Sequence, residues 1–470
     1  LAAFFWDKEM ARQSFKPGIA PSGVGGDTNR SANTKWDANF TELYKAMGAV
    51  LNSANSGAEG AVLPASGLPV ANGGTGATTA ATARSNLGLG SVNNTSDTDK
   101  PVSTLQAAAI ANSSNGLTIL IKDSLRQSVE VASGGLQTVL YTAKGQPTYM
   151  NIIQKYDMST IDASLSGTHP AFIVDGVEKP EIFIGTYQGR IVNGELLSLP
   201  NVEPTHSTNY TNFLAAARAC GNGHHLITNA EWSAVALQCY KDNKQPMGNT
   251  YYGRSSENPL LIGRRADGLN PGDTSGSART LTGSSPVEWR HNGKENGIAD
   301  LSGNVWEWNS GMRIFNGEIQ VIADNNASKL AIDLGAASTE WKAINGETGN
   351  LVTPDGSGTT AGTIKYADGG TADYTINGSN FGGIRNLSTT KPVTAAALAR
   401  LKALCLYPHT ENTASYNGDY FFKAMTDERL PIRGGGWNSA AGAGVFALYL
   451  SNARSSSGTY LGARPAFVNL

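Results

Sequence analysis

Few residues in this 470-residue chain have types and spacing that suit chemistry. The histidines are His169, His206, His224, His225, His291 and His409. His224-His225 precedes a helical segment carrying Glu231, a grouping that metal binding or general-base catalysis would use. It also reads as a packing pair where a loop enters a strand, and that reading is the one adopted. Cys220, Cys239 and Cys405 are odd in number and widely spaced, neither a disulfide framework nor a zinc signature. A Cys220–Cys239 bridge stays open, with buried free thiols as the default. The glycine-rich run from Gly73 to Thr78 lacks the Lys-Ser/Thr of a phosphate loop. Asp97-Thr98-Asp99-Lys100 lacks the spacing of a calcium loop. Hydrolysis of a glycan by paired carboxylates needs two acids in one cleft, which a sequence alone does not place.

Around these residues the chain changes character several times. Trp36, Phe40, Leu43, Met47 and Val50 form one stripe, either of an ordinary amphipathic helix or of a short oligomer seam. Residues 52–116 are mostly Gly, Ala, Ser, Thr and Asn. They suit a linker, or a segment that packs on copies of itself, with short helices expected over Ala80–Leu87 and Pro101–Ala111. Residues 117–148 alternate as two or three short strands with Gly134-Gly135 as a turn. From 149 the composition becomes that of a globular domain. One helix carries Phe213, Leu214, Ala217 and Cys220 on one side. A second, capped by Asn229, turns Trp232, Val235, Ala236 and Cys239 inward. Residues 312–430 are rich in polar insertions, with one helix ending near Pro408.

The length suits about three domains. Apolar residues make up 40% of the chain, enough for a core, and the net charge is −2. There is no basic excess to attract nucleic acid. No apolar run is long enough to insert in a membrane. The N-terminus lacks the charged-then-apolar order of a signal peptide. It also does not begin with Met, which leaves processing or trimming open.

The stretch GLPVANGGTGATTAATARSNLGLGSVNNTSDTDKPVST resembles a motif of bacteriophage tail fibres, and the helix before it resembles their particle-attachment segment. The resemblance implies a homotrimer fixed to phage tail or baseplate proteins by its N-terminal part and reaching outward with its C-terminal part. It places residues 1–51 as the virion-attachment segment, 52–116 as the fibre repeat region, 117–148 as a small β connector and 149–470 as a receptor-binding domain. The location it implies is the virion tail fibre.

Four pieces in order, HLITNAEWSAVAL, GIADLSGNVWEWNSG, RGGGW and LGARPAF, resemble the sulfatase-modifying domain that includes the formylglycine-generating enzyme. The fold expected is therefore α+β, with a C-type lectin-like domain over 149–470 on an elongated N-terminal fibre region. Trp306 and Trp308 lie one residue apart and face one side of a strand, with Trp437 suited to join them. Glu307 then points the other way, toward Arg433 or Arg464. The enzyme of that family holds copper with two cysteines before its final motif. NARSSSGTYLGARPAF contains none, so the catalysis does not carry over and no enzyme is expected. No cofactor or metal is assigned. Asn304 and Glu307 sit where the family sometimes holds structural calcium.

The segment between the Arg433-Gly-Gly-Gly-Trp437 and Gly462-Ala-Arg464 motifs is similar to the variable ligand face of major tropism determinants, some of which retroelements diversify. Ser, Asn, Gly and Tyr suit an adaptable binding surface. Strand alternation puts Phe446, Leu448 and Leu450 inward and Ala447 and Tyr449 outward. The candidate receptor-binding residues are Asn438, Ser439, Tyr449, Ser451, Asn452, Ser455, Ser457, Thr459 and Tyr460, facing a glycan or protein on the host cell. Arg454 is expected to brace the loop. The alternatives are a fibre-borne polysaccharide-degrading enzyme and a structural fibre segment without a receptor site.

Overall fold

The computed structural model describes residues 24–26, 28–46, 74–77, 79–89, 123–370 and 372–470. The chain divides into two compact units, residues 1–120 and 121–470. In the first, Asn29–Ala46 form helix α1, on which Trp36 stacks on Phe40 with centroids 5.5 Å apart. Helix α2 (Ala80–Asn86) starts at Thr79, whose side chain accepts the Thr82 N–H. Met47, Val50, the helix expected at Pro101–Ala111 and most of 52–116 lie outside the described residues.

The second unit is α+β. Its first segment differs from expectation: Ser124–Ser133 is helix α3, not a strand. Asp123 caps it by accepting the Arg126 N–H, and Gly134 ends it in the left-handed region. These local stop signals outweigh the apparent alternation. Strand β1 (Gln137–Tyr141) then pairs with β2 (Pro147–Gln154), which pairs with β3 (Glu181–Gly185). The segment expected to be a connector is thus continuous with the sheet that follows it.

Helix α4 (Tyr210–Arg218) buries Tyr210, Phe213, Ala216 and Ala217. After β4 (His224–Leu226), helix α5 (Asn229–Lys241) buries Trp232, Val235, Ala236 and Cys239 as the pattern predicts. Its cap is Thr228 rather than Asn229, in a reciprocal box with Glu231. Strand β5 (Trp306–Trp308) is followed by β6 (Met312–Phe315), β7 (Glu318–Val321) and helix α6 (Ala395–Ala403). Next come β8 (Phe421–Lys423), β9 (Glu428–Gly434) and β10 (Gly444–Asn452). The chain ends through β11 (Leu461–Ala463) and β12 (Pro465–Phe467).

Two sheets organise these strands. The first has the order β1-β2-β3-β12-β4. The second runs through β7-β6-β9-β10-β8, with β5 pairing both β9 and β11. The chain passes from the second sheet to the first between Ala463 and Pro465, so Arg464 stands where they meet. The polar-looking region 312–430 is not peripheral. Its Met312, Ile314, Tyr366, Ile376, Phe381 and Tyr416 belong to the main hydrophobic cluster along with Trp232 and Leu448.

Candidate receptor-binding face

A buried frame surrounds the C-terminal segment. Glu307 lies opposite Arg433 on β9 and Gly462 on β11. Its carboxylate accepts from Arg464 Nε at 2.8 Å and Nη2 at 2.6 Å, and from Gln188 Nε2 at 2.9 Å. Arg464 also donates to the Gly185 carbonyl at 2.8 Å and the Ala299 carbonyl at 2.9 Å, so one guanidinium joins both sheets. Burial pushes the Glu307 carboxyl up, and Arg464 pulls it back. Arg433, the other candidate partner, takes a different role. It donates to Asn229 Oδ1 at 2.8 Å and the Cys405 carbonyl at 2.9 Å, tying β9 to α5 and to the chain after α6. Burial without a carboxylate partner lowers its pKa to about 10.

The tryptophans divide differently from expectation. Trp306 and Trp308 share one buried cluster, with Trp308 edge-on to Tyr210 at 5.8 Å. Trp437 instead packs with Ala278 and Val305 and lies under the Arg279 guanidinium. The backbone explains the split, because Gly434 and Gly435 both take positive φ. That turn carries Trp437 away from the strand before it reaches the Trp pair.

Strand β10 lies between β9 and β8. Phe446, Leu448 and Leu450 face the main core, as alternation predicts. The opposite face is buried too: Ala447 is fully covered, and Tyr449 packs against Trp306 at 5.6 Å and stacks on Phe422 at 5.0 Å. Ala447 therefore does not face out, because the strand is central and covered on both sides. Ser439 is buried as well, its Oγ accepting the Gly436 N–H. Asn438 is exposed, while Ser451 and Asn452 are half-buried. Asn452 lies opposite Leu430 on β9.

Beyond Asn452 the chain leaves the sheet. Ser455, Ser457, Thr459 and Tyr460 are exposed. The loop is held through its main chain: the Gly458 carbonyl accepts from Ser207 N–H at 2.9 Å, and the Thr459 carbonyl from Arg279 Nη1 at 2.9 Å. The Tyr460 carbonyl accepts from Trp306 N–H at 2.8 Å. Arg454 braces the loop as expected, through a bidentate pair with Glu428 at 2.8 and 3.0 Å. Side chains can thus vary here while backbone bonds keep the path. Sequence reasoning missed Tyr420 and Phe422, which are 47% and 52% exposed at the edge strand beside Tyr449. The signal was the alternation Tyr420-Phe421-Phe422, which sets one ring inward and two outward.

The other chemistry-bearing residues serve the core. All three cysteines are free and buried, so Cys220 and Cys239 form no bridge. Burial pushes the Cys220 and Cys405 thiols up to about 12. His225 Nε2 lies 2.9 Å from Glu231 Oε1, beside the helix cap, and His224 packs edge-on to Phe467. Burial lowers His169, His224, His291 and His409 to about 4. The two calcium candidates have other partners: Asn304 Oδ1 accepts from Thr280 N–H and Asn249 Nδ2, and Glu307 is held by a guanidinium. Among the described residues no group of three or more His, Cys, Asp or Glu could hold a metal ion. Among them, too, no helix is long and apolar enough to cross a membrane.

No family model matches the chain, and no curated protein matches it. Among solved structures it is similar to Treponema denticola variable protein 1 at 12% identity, over 71% of this chain and 99% of that chain, with a TM-score of 0.27. A likeness that low carries no argument about fold or function.

Proposed function

We propose that the chain is a phage tail-fibre receptor-binding protein with no catalytic role. Its C-terminal unit is lectin-like and meets the host cell surface, and the first 120 residues join three copies to one another and to the tail or baseplate. The observation that carries the reading is the contrast at residues 453–460. The loop's main chain is tied to Ser207, Arg279 and Trp306, while Ser455, Ser457, Thr459 and Tyr460 project outward. A buried two-sheet frame under small polar side chains suits recognition that varies without unfolding. Tyr460, 43% exposed, is the aromatic anchor of that loop.

The test is adsorption. Fluorescently labelled chain should bind the surface of at least one strain in a bacterial panel and block phage infection of it. Thr459→Ala with Tyr460→Ala should weaken that binding at least tenfold with an unchanged melting curve. Full binding by the double variant would place the ligand face elsewhere, and binding to no strain would overturn the reading.

A further inference from the structure

Beside the loop lies a polar groove, bounded by the first turn of α4, the start of β9 and the turn at 453–455. It is an open groove of about 520 Å³. Thr211, Asn212, Asp427, Glu428, Arg454 and Ser455 line it, and its only apolar side chains are alanines. We propose that this groove binds an uncharged saccharide, an inference that rests on the receptor-binding reading and names the chemistry of its ligand.

The charges of the groove are compensated internally. Arg454 grips Glu428 bidentately, and Glu428 also accepts from Arg313 at 2.8 Å. Arg313 in turn donates to Gln320 Oε1, which belongs to the same buried network as Glu318. Arg429 and Asp427 add one charge of each sign to the rim. Such a lining carries as many acids as bases, and it offers donors and acceptors side by side. The match for that mixture is a group that both donates and accepts, which is the hydroxyl of a sugar.

Arg454 is fixed for the task. Its guanidinium lies 5.0 Å above the Tyr210 ring, and its bonds to Glu428 use Nε and Nη2, which leaves the donors on Nη1. The exposed Asn212 amide and Ser455 hydroxyl supply both senses of hydrogen bond from opposite walls. An apolar peptide would find only alanines to pack against here.

The experiment is saturation-transfer NMR on the full chain with lactose, maltose, cellobiose and, as the charged comparison, 3′-sialyllactose, each at about 10 mM because single-site sugar affinities are weak. At least one neutral sugar should receive saturation. Asn212→Trp and Ser455→Trp, plugs on opposite walls at exposed positions, should each weaken that binding at least tenfold with unchanged melting. The inference fails if no neutral sugar binds, if neither plug affects binding, or if sialyllactose alone binds. A chain that adsorbs to cells yet binds no neutral sugar refutes the groove and leaves the receptor reading standing. A chain that binds sugar through the groove but adsorbs to no strain refutes the receptor reading alone.

Discussion

Two buried side chains allow sharp tests of the frame. Arg464 is fully buried with its charge spent on Glu307 and on carbonyls of both sheets. Arg464→Ala leaves that carboxylate buried without its cation and should cost about 3–5 kcal/mol in a urea titration. Arg464→Met with Glu307→Gln should recover part of the loss, because the stranded charge goes with its partner. An Arg464→Ala protein of undiminished stability would show that the ion pair does not hold the frame. His169 tests the core in another way. Its Nε2 meets the Ala403 carbonyl at 2.7 Å and its Nδ1 accepts the Ala171 N–H, a pattern satisfied by the neutral ring. Burial lowers its pKa from 6.5 to about 4. The unfolded chain therefore takes up a proton on this residue before the folded one does. The associated stability is fully present above pH 6.5, is lost as pH falls toward 4, and falls no further below that. Burial raises the carboxyls of Asp300, Glu307 and Asp419, which work in the opposite sense over the same window, so the wild-type curve alone is ambiguous. The difference between wild type and His169→Gln isolates the histidine. Between pH 7 and 4 the wild type should lose about 3 kcal/mol more than the variant, read from paired denaturation curves. Parallel pH profiles would mean that the folded His169 takes up its proton as readily as the unfolded one.

At the scale of elements, the loop at 453–460 and the strand before it should respond oppositely to substitution. Ser455, Ser457 and Thr459 lie on a path held by main-chain bonds, so replacing all three with other polar residues should shift the melting temperature by no more than about 2 °C. Tyr449 contacts Trp306 and Phe422, so Tyr449→Ala should cost about 2–4 kcal/mol. A loop triple variant that unfolds, or a Tyr449→Ala protein as stable as wild type, would reverse these assignments. The same contrast shows what the sequence made legible. Gly-Asn-Val-Trp-Glu-Trp read correctly as a strand with Trp306 and Trp308 on one side and Glu307 on the other, because alternation is local. Whether the far face of β10 is covered depends on strands and helices distant in sequence, so the expectation that Ala447 faces out fails. The strands within 312–430 span only two to four residues, too short for a period to show, although their side chains fill the main core. The groove joins segments more than two hundred residues apart, with Asn212 on one wall and Arg454 on the other, and no spacing rule connects them.

For the whole molecule, the decisive quantity is the number of chains. Residues 52–116 carry few large apolar side chains, too few to build a core within one copy. Small side chains let backbones approach closely, so several copies can satisfy one another's peptide groups. Helix α1 adds a seam candidate: Trp36 and Phe40 stack on one another and are 54% and 44% exposed within a single chain. The fibre resemblance implies three. Light scattering of the intact chain should therefore give three times 49.2 kDa. A chain reduced to residues 121–470, which retains both sheets and the Trp306–Trp308 cluster, should be monomeric with unchanged tryptophan fluorescence. Single sugar or receptor sites are weak, and three on one tip raise avidity by mass action, so the monomeric unit should adsorb to cells about a hundredfold less tightly than the full chain. A full-length monomer at micromolar concentration would overturn the trimer. A trimer formed equally well by residues 121–470 would move the assembly surface out of the fibre region and onto the C-terminal unit itself.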